Sequence, residues 1–188
     1  MLYYNKFHNP QPPTPPGIGQ TPDETRVMIG ILADTHNHLN RTKAGVRILQ
    51  EQGAKILVHC GDLASPEIVE ICAVLPLYFV FGNHDADSAA DLKQAAAEQG
   101  ATCLEWGGEF EYQGKRIAIV HGHMTLDVRP LLEAEPDYLL SGHSHVARDW
   151  QSGPIRRINP GALFRTLEPS VALLDVVSDD VRFLAVDE

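Results

Sequence analysis

The sequence predicts an α/β fold, and three features of the chain support this prediction. Three apolar runs in the first half, residues 27–33, 55–60 and 77–81, each end in a polar turn that leads into a helical pattern. Continuous apolar runs are typical of strands buried on both faces, as in parallel sheets. Short strands and hairpin-type turns dominate the second half. We therefore expect a parallel sheet with right-handed crossovers, and a mixed or antiparallel sheet stacked on it with helices outside.

Helices and the later strands are predicted from spacing and from capping residues. Ser65 and Pro66 suit the N-cap and the first position of a helix, and Gly53 and Gly100 suit helix ends. The helices are expected over about residues 39–52, 66–74, 88–99 and 126–134. The strands of the second half are expected over about residues 101–104, 109–112, 116–120, 138–140, 156–158, 171–176 and 182–186.

Length and composition limit the class of protein. With 188 residues, 44% of them hydrophobic and 21% charged, the chain suits one soluble domain with a sizeable core. No apolar run approaches a membrane span, so we expect no membrane partner. A net charge of −10 without a basic stripe argues against long nucleic acids and favours metal cations. Three widely spaced cysteines indicate a cytoplasmic protein without a thiolate zinc site.

Residues 1–25 differ in composition from the rest of the chain. They contain six of the thirteen prolines and lack the apolar region of a secretory signal. We interpret this segment as a Pro-rich N-terminal extension, either a linker or an arm that contacts the body or another subunit. The folded domain is then expected over residues 26–188, and a homo-oligomer stays open.

Metal-ligand residue types stand at the ends of five predicted strands. The turns contain Asp34 and His36, then Asp62, then Asn83 and His84, then His121 and His123, and last His143 and His145. Because the carboxyl ends of strands form the ligand-binding edge of an open α/β sheet, we expect these side chains to meet there. Glycine at positions 61, 82, 122 and 142 would let the backbone turn sharply beside a bound group.

These side chains suit a pair of divalent cations. Oxygen and imidazole ligands without thiolate favour manganese, iron, zinc, nickel or cobalt, and manganese is our preferred ion. A carboxylate can bridge two cations ~3.5–4 Å apart, and Asp62 is the acid that stands alone on its turn. We therefore assign Asp62 to the bridge. The expected ligands are Asp34, His36 and His145 for one ion, and Asn83, His121 and His143 for the other.

Each of these residues also has a plainer interpretation. Asp34 and Asp62 could cap the helices that follow them, and Asn83 could make an Asx-turn. We interpret His59 as a core or wall residue and His38 as a surface helix residue. The plainer interpretations do not explain why so many ligand-type residues stand at the same end of one sheet.

Five short motifs carry a resemblance to a known family. In chain order they are Asp34-Thr35-His36, Gly61-Asp62, Gly82-Asn83-His84-Asp85, His121-Gly122-His123 and Gly142-His143-Ser144-His145. Over roughly residues 27–187 the chain resembles the calcineurin-like metallophosphoesterases, and Asn159-Pro160-Gly161-Ala162 resembles their small bacterial and archaeal phosphodiesterase branch. The resemblance implies a two-sheet αββα sandwich with a dinuclear metal centre.

The resemblance also implies hydrolysis of phosphate esters. We expect a metal-dependent phosphoesterase, preferably a phosphodiesterase on small or nucleotide-type esters, although the sequence does not distinguish monoesters from diesters. A hydroxide that bridges the cations would attack phosphorus in line. His84 is the expected general acid; it and Asn83 would contact the substrate, and His123 would face the phosphate. Some branches orient this histidine with an aspartate where this chain has Ser65, so Asp85 is our guess for the orienting residue.

A non-catalytic alternative stays open beside the enzyme. A small member of the family serves eukaryotic trafficking as a scaffold with a degraded metal site, and this chain could be a metal-binding scaffold or protein-interaction module of the same fold. That alternative predicts missing ligands, and the five motifs lack none.

Overall fold

Two sheets packed face to face, with helices on both outer faces, make up residues 27–187, the part of the chain that the computed structural model describes. The predicted extension, residues 1–25, lies outside the described residues. The helices are α1 (Leu39–Glu51), α2 (Pro66–Cys72), α3 (Ala89–Gln99) and α4 (Thr125–Glu133), and a 3-10 turn (Ala86–Ser88) precedes α3. The strands are β1 (Met28–Leu32), β2 (Ala54–His59), β3 (Leu77–Phe79), β4 (Thr102–Cys103), β5 (Gly107–Tyr112), β6 (Lys115–Val120), β7 (Tyr138–Ser141), β8 (Arg148–Ser152), β9 (Ile155–Asn159), β10 (Ser170–Asp175) and β11 (Asp180–Ala185).

The first sheet has the order β11-β10-β1-β2-β3-β4. Strands β1 to β4 are parallel, as the alternation of strand and helix predicts, while β10 pairs antiparallel with β1 and β11 pairs antiparallel with β10. The second sheet has the order β5-β6-β7-β9-β8, in which β6, β7 and β9 are parallel and the two edge strands are antiparallel. The predicted mixed character of this sheet is confirmed.

Three apolar clusters fill the spaces between the layers. One packs the helices α1 to α3 on the first sheet and includes Leu49, Phe79 and Leu92. A second lies between the two sheets and includes Ile31 and Leu140. A third packs α4 on the outer face of the second sheet. The order of layers is helix, sheet, sheet, helix, which confirms the predicted αββα sandwich.

Two details of the predicted topology were wrong. Strands β4, β10 and β11 belong to the first sheet, not to the second, and β10 is buried along its whole length because it lies inside that sheet. Strand β8 was missed, since this polar edge strand is mostly exposed and has no apolar alternation. Neither error moves a candidate ligand. Within residues 27–187, no helix is long and apolar enough to span a membrane.

Candidate metal centre

Five turns converge at one edge of the molecule, where β1, β2, β3, β6 and β7 end. Backbone hydrogen bonds join neighbouring turns, because Asp34 N–H donates to the carbonyl of Gly61 at 3.0 Å and Gly142 N–H donates to that of His121 at 3.1 Å. The two sheets are joined here as well. The backbone N–H of His143, after β7, donates to Oδ2 of Asp34, after β1, at 3.0 Å.

The backbone of these turns adopts left-handed angles at the candidate ligands. The angle φ is +53° at Asp34, +42° at His36, +59° at Asp62, +68° at His143 and +58° at His145. Residues other than glycine rarely adopt such angles, and residues held in them by the surrounding structure cluster at functional sites. Five of the seven predicted ligands share this feature, which supports a common function.

Asp34 is fully buried and has one carboxylate oxygen without a hydrogen-bond partner among the described residues. Its Oδ1 lies 3.3 Å from Nε2 of His145 and 4.0 Å from Nε2 of His121, and it accepts no hydrogen bond from any described residue. Burial raises the pKa of Asp34 to about 6, against the opposing charges of His121 and His145. A buried carboxylate oxygen of this kind needs a cation beside it.

Asp62 lies between two imidazoles that were predicted to bind different ions. Its Oδ2 is 3.5 Å from Nε2 of His36 and 3.4 Å from Nε2 of His121, and its Oδ1 accepts the backbone N–H of His84 at 2.9 Å. Burial alone would raise the pKa of Asp62, but the hydrogen bond and charge of His121 hold it well below its usual range. Oδ2 of this ionised carboxylate therefore faces imidazole nitrogens from two different turns.

His121 has the hydrogen-bond pattern of a metal ligand. Its Nδ1 donates to the backbone carbonyl of Cys60 at 2.8 Å, which leaves Nε2 to face Oδ1 of Asn83 at 3.1 Å and Oδ2 of Asp62 at 3.4 Å. A carbonyl partner of this kind fixes the tautomer of ligand histidines. Burial alone would lower the pKa of His121, but Asp62 and Asp34 raise it. The ring therefore needs positive charge beside Nε2, as a proton or as a metal ion.

The remaining candidates surround this centre. Ligand atoms of Asp34, His36 and His145 lie within 4.8 Å of one another, as do those of Asp34, Asp62 and His121. The buried Nε2 of His36 has no hydrogen-bond partner in the described part of the chain, and burial lowers the pKa of His36 to about 4. Neutral imidazole is the form that binds metal.

The second predicted ligand set is grouped around His121. The ring of His143 lies 5.1 Å from that of His121, centroid to centroid, and Oδ1 of Asn83 is within hydrogen-bond distance of the same imidazole. Burial and the charge of His121 lower the pKa of His143. The donor set therefore fits divalent cations: unpaired buried oxygen and nitrogen atoms converge, and thiolate is absent from the clusters found among residues 27–187.

Glycine is required where the backbone passes the ligands, as two of the turns show. A Cβ on Gly82 would lie 2.1 Å from Oδ1 of Asp62, and one on Gly61, where φ is +94°, would lie 2.7 Å from Nδ1 of His121. Any larger residue would displace a candidate ligand.

The plainer interpretations of the carboxylates do not hold. The N-cap of α1 is His38, whose side chain accepts the N–H of Arg41, and the N-cap of α2 is Ser65. His38 is therefore a capping residue at the start of the helix. Asn83 directs its oxygen to His121 and not to its own turn. Asp34 and Asp62 are thus free to act as ligands.

Asp85 has a structural function that the sequence analysis missed. Its buried carboxylate accepts the backbone N–H groups of Asp62, Leu63, Ala64 and Gly82 at 2.7–3.2 Å. Burial raises the pKa of Asp85 although these hydrogen bonds oppose the shift. The guess that Asp85 orients His84 was wrong, because both oxygens are taken up by backbone amides. Asp85 stands at the N-cap position of the 3-10 turn but makes no side-chain capping hydrogen bond there, so the sequence alone suggests a capping acid.

His59 is buried behind the candidate centre, as predicted for a wall residue. Its Nδ1 accepts the N–H of Gly61 at 3.2 Å, so the proton is on Nε2, which donates to Oγ1 of Thr35 at 3.1 Å. Thr35 in turn donates to the carbonyl of Asp62 at 3.2 Å. Burial and the charge of His121 lower the pKa of His59 to about 3. This neutral chain of hydrogen bonds supports the turn that carries Asp62.

The two other predicted site residues lie at the rim. His84 is exposed, and its ring lies 4.9 Å from that of His36, centroid to centroid. Ligand atoms of His36, Asp62 and His84 also lie close enough together to form a third possible metal-binding group. His123 lies 5.4 Å from His121 and 6.1 Å from Trp106, centroid to centroid. Both histidines therefore border the space in front of the candidate ligands.

Known proteins resemble this chain in sequence and in fold. The family model described as the calcineurin-like phosphoesterase superfamily domain matches residues 27–179. A phosphodiesterase of Methanocaldococcus jannaschii is 22% identical over 166 residues, which cover 86% of this chain and 100% of the relative. The solved structure of an archaeal phosphodiesterase has a TM-score of 0.77 at 23% identity and covers 85% of this chain and 100% of its own. That of the E. coli phosphoesterase Yfce has a TM-score of 0.63 at 20% identity, with coverages of 86% and 100%. Because the family model spans most of the described residues, the chain belongs to the calcineurin-like phosphoesterase superfamily.

Proposed function

We propose that the protein is a metal-dependent phosphodiesterase that acts on small or nucleotide-type phosphate esters. The observation that carries the proposal is the location of Asp62 Oδ2, within 3.5 Å of imidazole nitrogens from two different turns. The membership of the superfamily supports it, as does the phosphodiesterase name of the archaeal relative. The negative net charge of −10 favours small esters over long nucleic acids.

The proposed ligands of the two cations come from five turns. Asp34, His36 and His145 would hold one cation, Asn83, His121 and His143 would hold the other, and Asp62 would contact both. When bound, the two cations supply positive charge for the phosphoryl oxygens and acidify the attacking water. Manganese remains our preferred ion because the ligands are oxygen and imidazole.

The chain's own residues would orient the ester and fix the tautomer of His121. Burial and the carbonyl of Cys60 keep His121 with Nε2 directed at the centre. His123, whose buried Nδ1 has no partner among the described residues, faces the same space and would donate to a phosphoryl oxygen. The Nδ2 group of Asn83 would do the same, since its Oδ1 is directed at His121.

His84 is the proposed general acid. Its backbone N–H is fixed on Oδ1 of Asp62 at 2.9 Å, while its side chain is exposed at the mouth of the site. A proton delivered from this ring to the leaving oxygen would complete the displacement, and a well-placed acid contributes ~10²–10⁴-fold. Because Asp85 is occupied by backbone amides, the ring is oriented through its own backbone anchor and its contact with His36.

The test is turnover of bis-p-nitrophenyl phosphate by the full chain with added Mn²⁺. We expect release of p-nitrophenol, its loss after chelation, and its return when Mn²⁺ is restored. A parallel assay with p-nitrophenyl phosphate compares the monoester with the diester. No turnover with manganese, iron, zinc, nickel or cobalt would overturn the proposal and favour the non-catalytic scaffold.

A further inference from the structure

A second concave surface continues from the candidate metal centre across the outer face of the second sheet. It is a cavity of about 530 Å³ that is lined at one end by Gly142, His143 and Ser144 and at the other by Arg148, Trp150 and Arg157. His143 borders both spaces. A molecule held at the metal centre can therefore extend into this cavity without leaving the surface.

Strand register places the three residues at the far end on one face. Trp150 of β8 pairs directly with Arg157 of β9 in an antiparallel ladder, and Arg148 lies two residues before Trp150 on the same face. The guanidinium carbon of Arg148 lies 4.9 Å from the centroid of the Trp150 ring, and that of Arg157 lies 4.8 Å away. Stacking on the indole holds both cations at the cavity wall.

The charge of these two arginines is not neutralised by a described acid. The nearest carboxylate in sequence, Asp149, points to the opposite face and is bound by Arg156 at 2.7 Å. Arg148 and Arg157 form no ion pair with residues 27–187, and the buried Nε of Arg157 has no hydrogen-bond partner there. Burial and the charge of Arg148 lower the pKa of Arg157. Two adjacent guanidinium groups without an ion-pair partner form a positive patch that attracts an anion.

We propose that Arg148, Arg157 and Trp150 form an anion-binding subsite that receives a second phosphate group of the substrate. This inference rests on the phosphoesterase function proposed above and narrows the substrate class to esters that carry a phosphate beside the reacting one. Guanidinium groups bind phosphate through paired hydrogen bonds, and a buried unpaired Nε supplies such a donor. The subsite would select substrates by charge while the metal centre performs the reaction.

The first test measures anion binding without metal. The full chain is stripped of metal, freed of chelator and titrated with inorganic pyrophosphate by calorimetry at low salt. We expect Arg157→Gln and Arg148→Gln to weaken binding by about tenfold or more each, as loss of one charged contact does. Arg47→Gln, which removes an exposed charge on α1, should bind as the unchanged chain does. Equal affinity in all variants, or no binding to the unchanged chain, would overturn the subsite.

Arg148→Gln also guards against a folding artefact. Arg148 is exposed, so its replacement keeps the fold even if Arg157→Gln lowers stability. Circular dichroism gives the melting temperature of each variant, and binding is compared well below these temperatures, where every variant is folded. A loss of binding in Arg157→Gln alone, together with a lowered melting temperature, would count against the subsite.

The second test compares two substrates in the Mn²⁺-loaded protein. The p-nitrophenyl ester of thymidine 5′-phosphate and the same ester with a 3′-phosphate differ only in the second anionic group. We expect the ratio of their kcat/KM values to favour the 3′-phosphorylated ester by about tenfold, to approach one in Arg148→Gln and Arg157→Gln, and to be retained in Arg47→Gln. If both esters are turned over but the ratio of their kcat/KM values is the same in the unchanged chain and in both arginine variants, the subsite is overturned and the phosphoesterase function is not. No turnover of either ester would overturn the phosphoesterase function itself.

Discussion

Nε2 of His121 lies 3.4 Å from Oδ2 of Asp62, although 58 residues lie between them in the chain and the two turns follow strands of different sheets. The imidazole is fixed by its Nδ1–H bond to the carbonyl of Cys60, and the carboxylate is fixed by the N–H of His84. Both groups are buried, and Nε2 of His121 and Oδ2 of Asp62 are directed at the same space. This pairing across the two sheets is the basis of the predictions that follow.

Replacement of Asp62 by asparagine should empty both metal sites. The amide has no negative charge, and one of its two terminal atoms cannot bind a cation, so the contact shared by the two ligand sets is lost. Metal analysis of the purified protein should give ~2 ions per chain before the change and close to none after it. Asp91→Asn, an exposed change on α3, is the matched control. Retention of one full equivalent of metal by Asp62→Asn would contradict the bridging assignment.

Replacement of His84 by alanine should separate catalysis from metal binding. If this ring is the general acid, metal content stays unchanged while turnover falls by ~10² or more. The deficit should be smaller for p-nitrophenyl esters than for alkyl esters, because p-nitrophenolate needs less help to leave. If the metal content of His84→Ala falls instead, the ring is a ligand together with His36 and Asp62, and its assignment as the acid is wrong.

Replacement of Asp85 by asparagine should destabilise the turns that carry the ligands. The amide presents an NH₂ group to backbone N–H groups that now share two carboxylate oxygens, so some of these buried donors lose their acceptor. We expect the free energy of unfolding to fall by about 2–3 kcal/mol, measured by urea denaturation of the metal-free protein. Asp87→Asn, two residues away and exposed, should change it by less than about 0.5 kcal/mol. Equal stability of the two variants would refute this function of Asp85.

His59 should make the folded protein sensitive to acid. Its pKa is lowered to about 3 in the folded chain, so below the ordinary value of about 6.5 the unfolded chain takes up a proton that the folded chain does not. This stabilising contribution is complete above pH 6.5 and is lost as the pH falls towards 3, at about 1.4 kcal/mol per pH unit. Urea denaturation of metal-free His59→Gln should show a shallower loss between pH 7 and pH 5 than the unchanged chain. Parallel pH profiles would show that His59 does not remain neutral in the fold.

Much of the candidate site could be predicted because its signals are local. An apolar run followed by a polar turn marks the end of a buried strand, and the residues in that turn are read directly from the chain. The expected positions of Asp34, Asp62 and Asn83 at one edge needed only the rule that parallel strands end together. The helix boundaries followed in the same way from caps such as Ser65 and Gly100.

The hydrogen bonds of Asp85 and the cavity lined by Arg148, Trp150 and Arg157 could not be predicted. The first depend on partners far away in the chain, and the second depends on strand register. Asp85 is recognised only by the amides that it accepts from the turn after β2. Arg157 adjoins Arg156 in sequence, but strand alternation sends the two side chains to opposite faces, one to Asp149 and the other to Trp150.

The sequence by itself determined which side chains can bind metal and that they stand at strand ends, because strand periodicity and turn composition are properties of neighbouring residues. Only the tertiary structure decided that β10 lies next to β1, that Asp62 faces imidazoles from two turns, and that two unpaired guanidinium groups border the same surface. These relationships depend on how the two sheets pair and pack, and that packing is set by burial of the whole apolar core and not by any single motif.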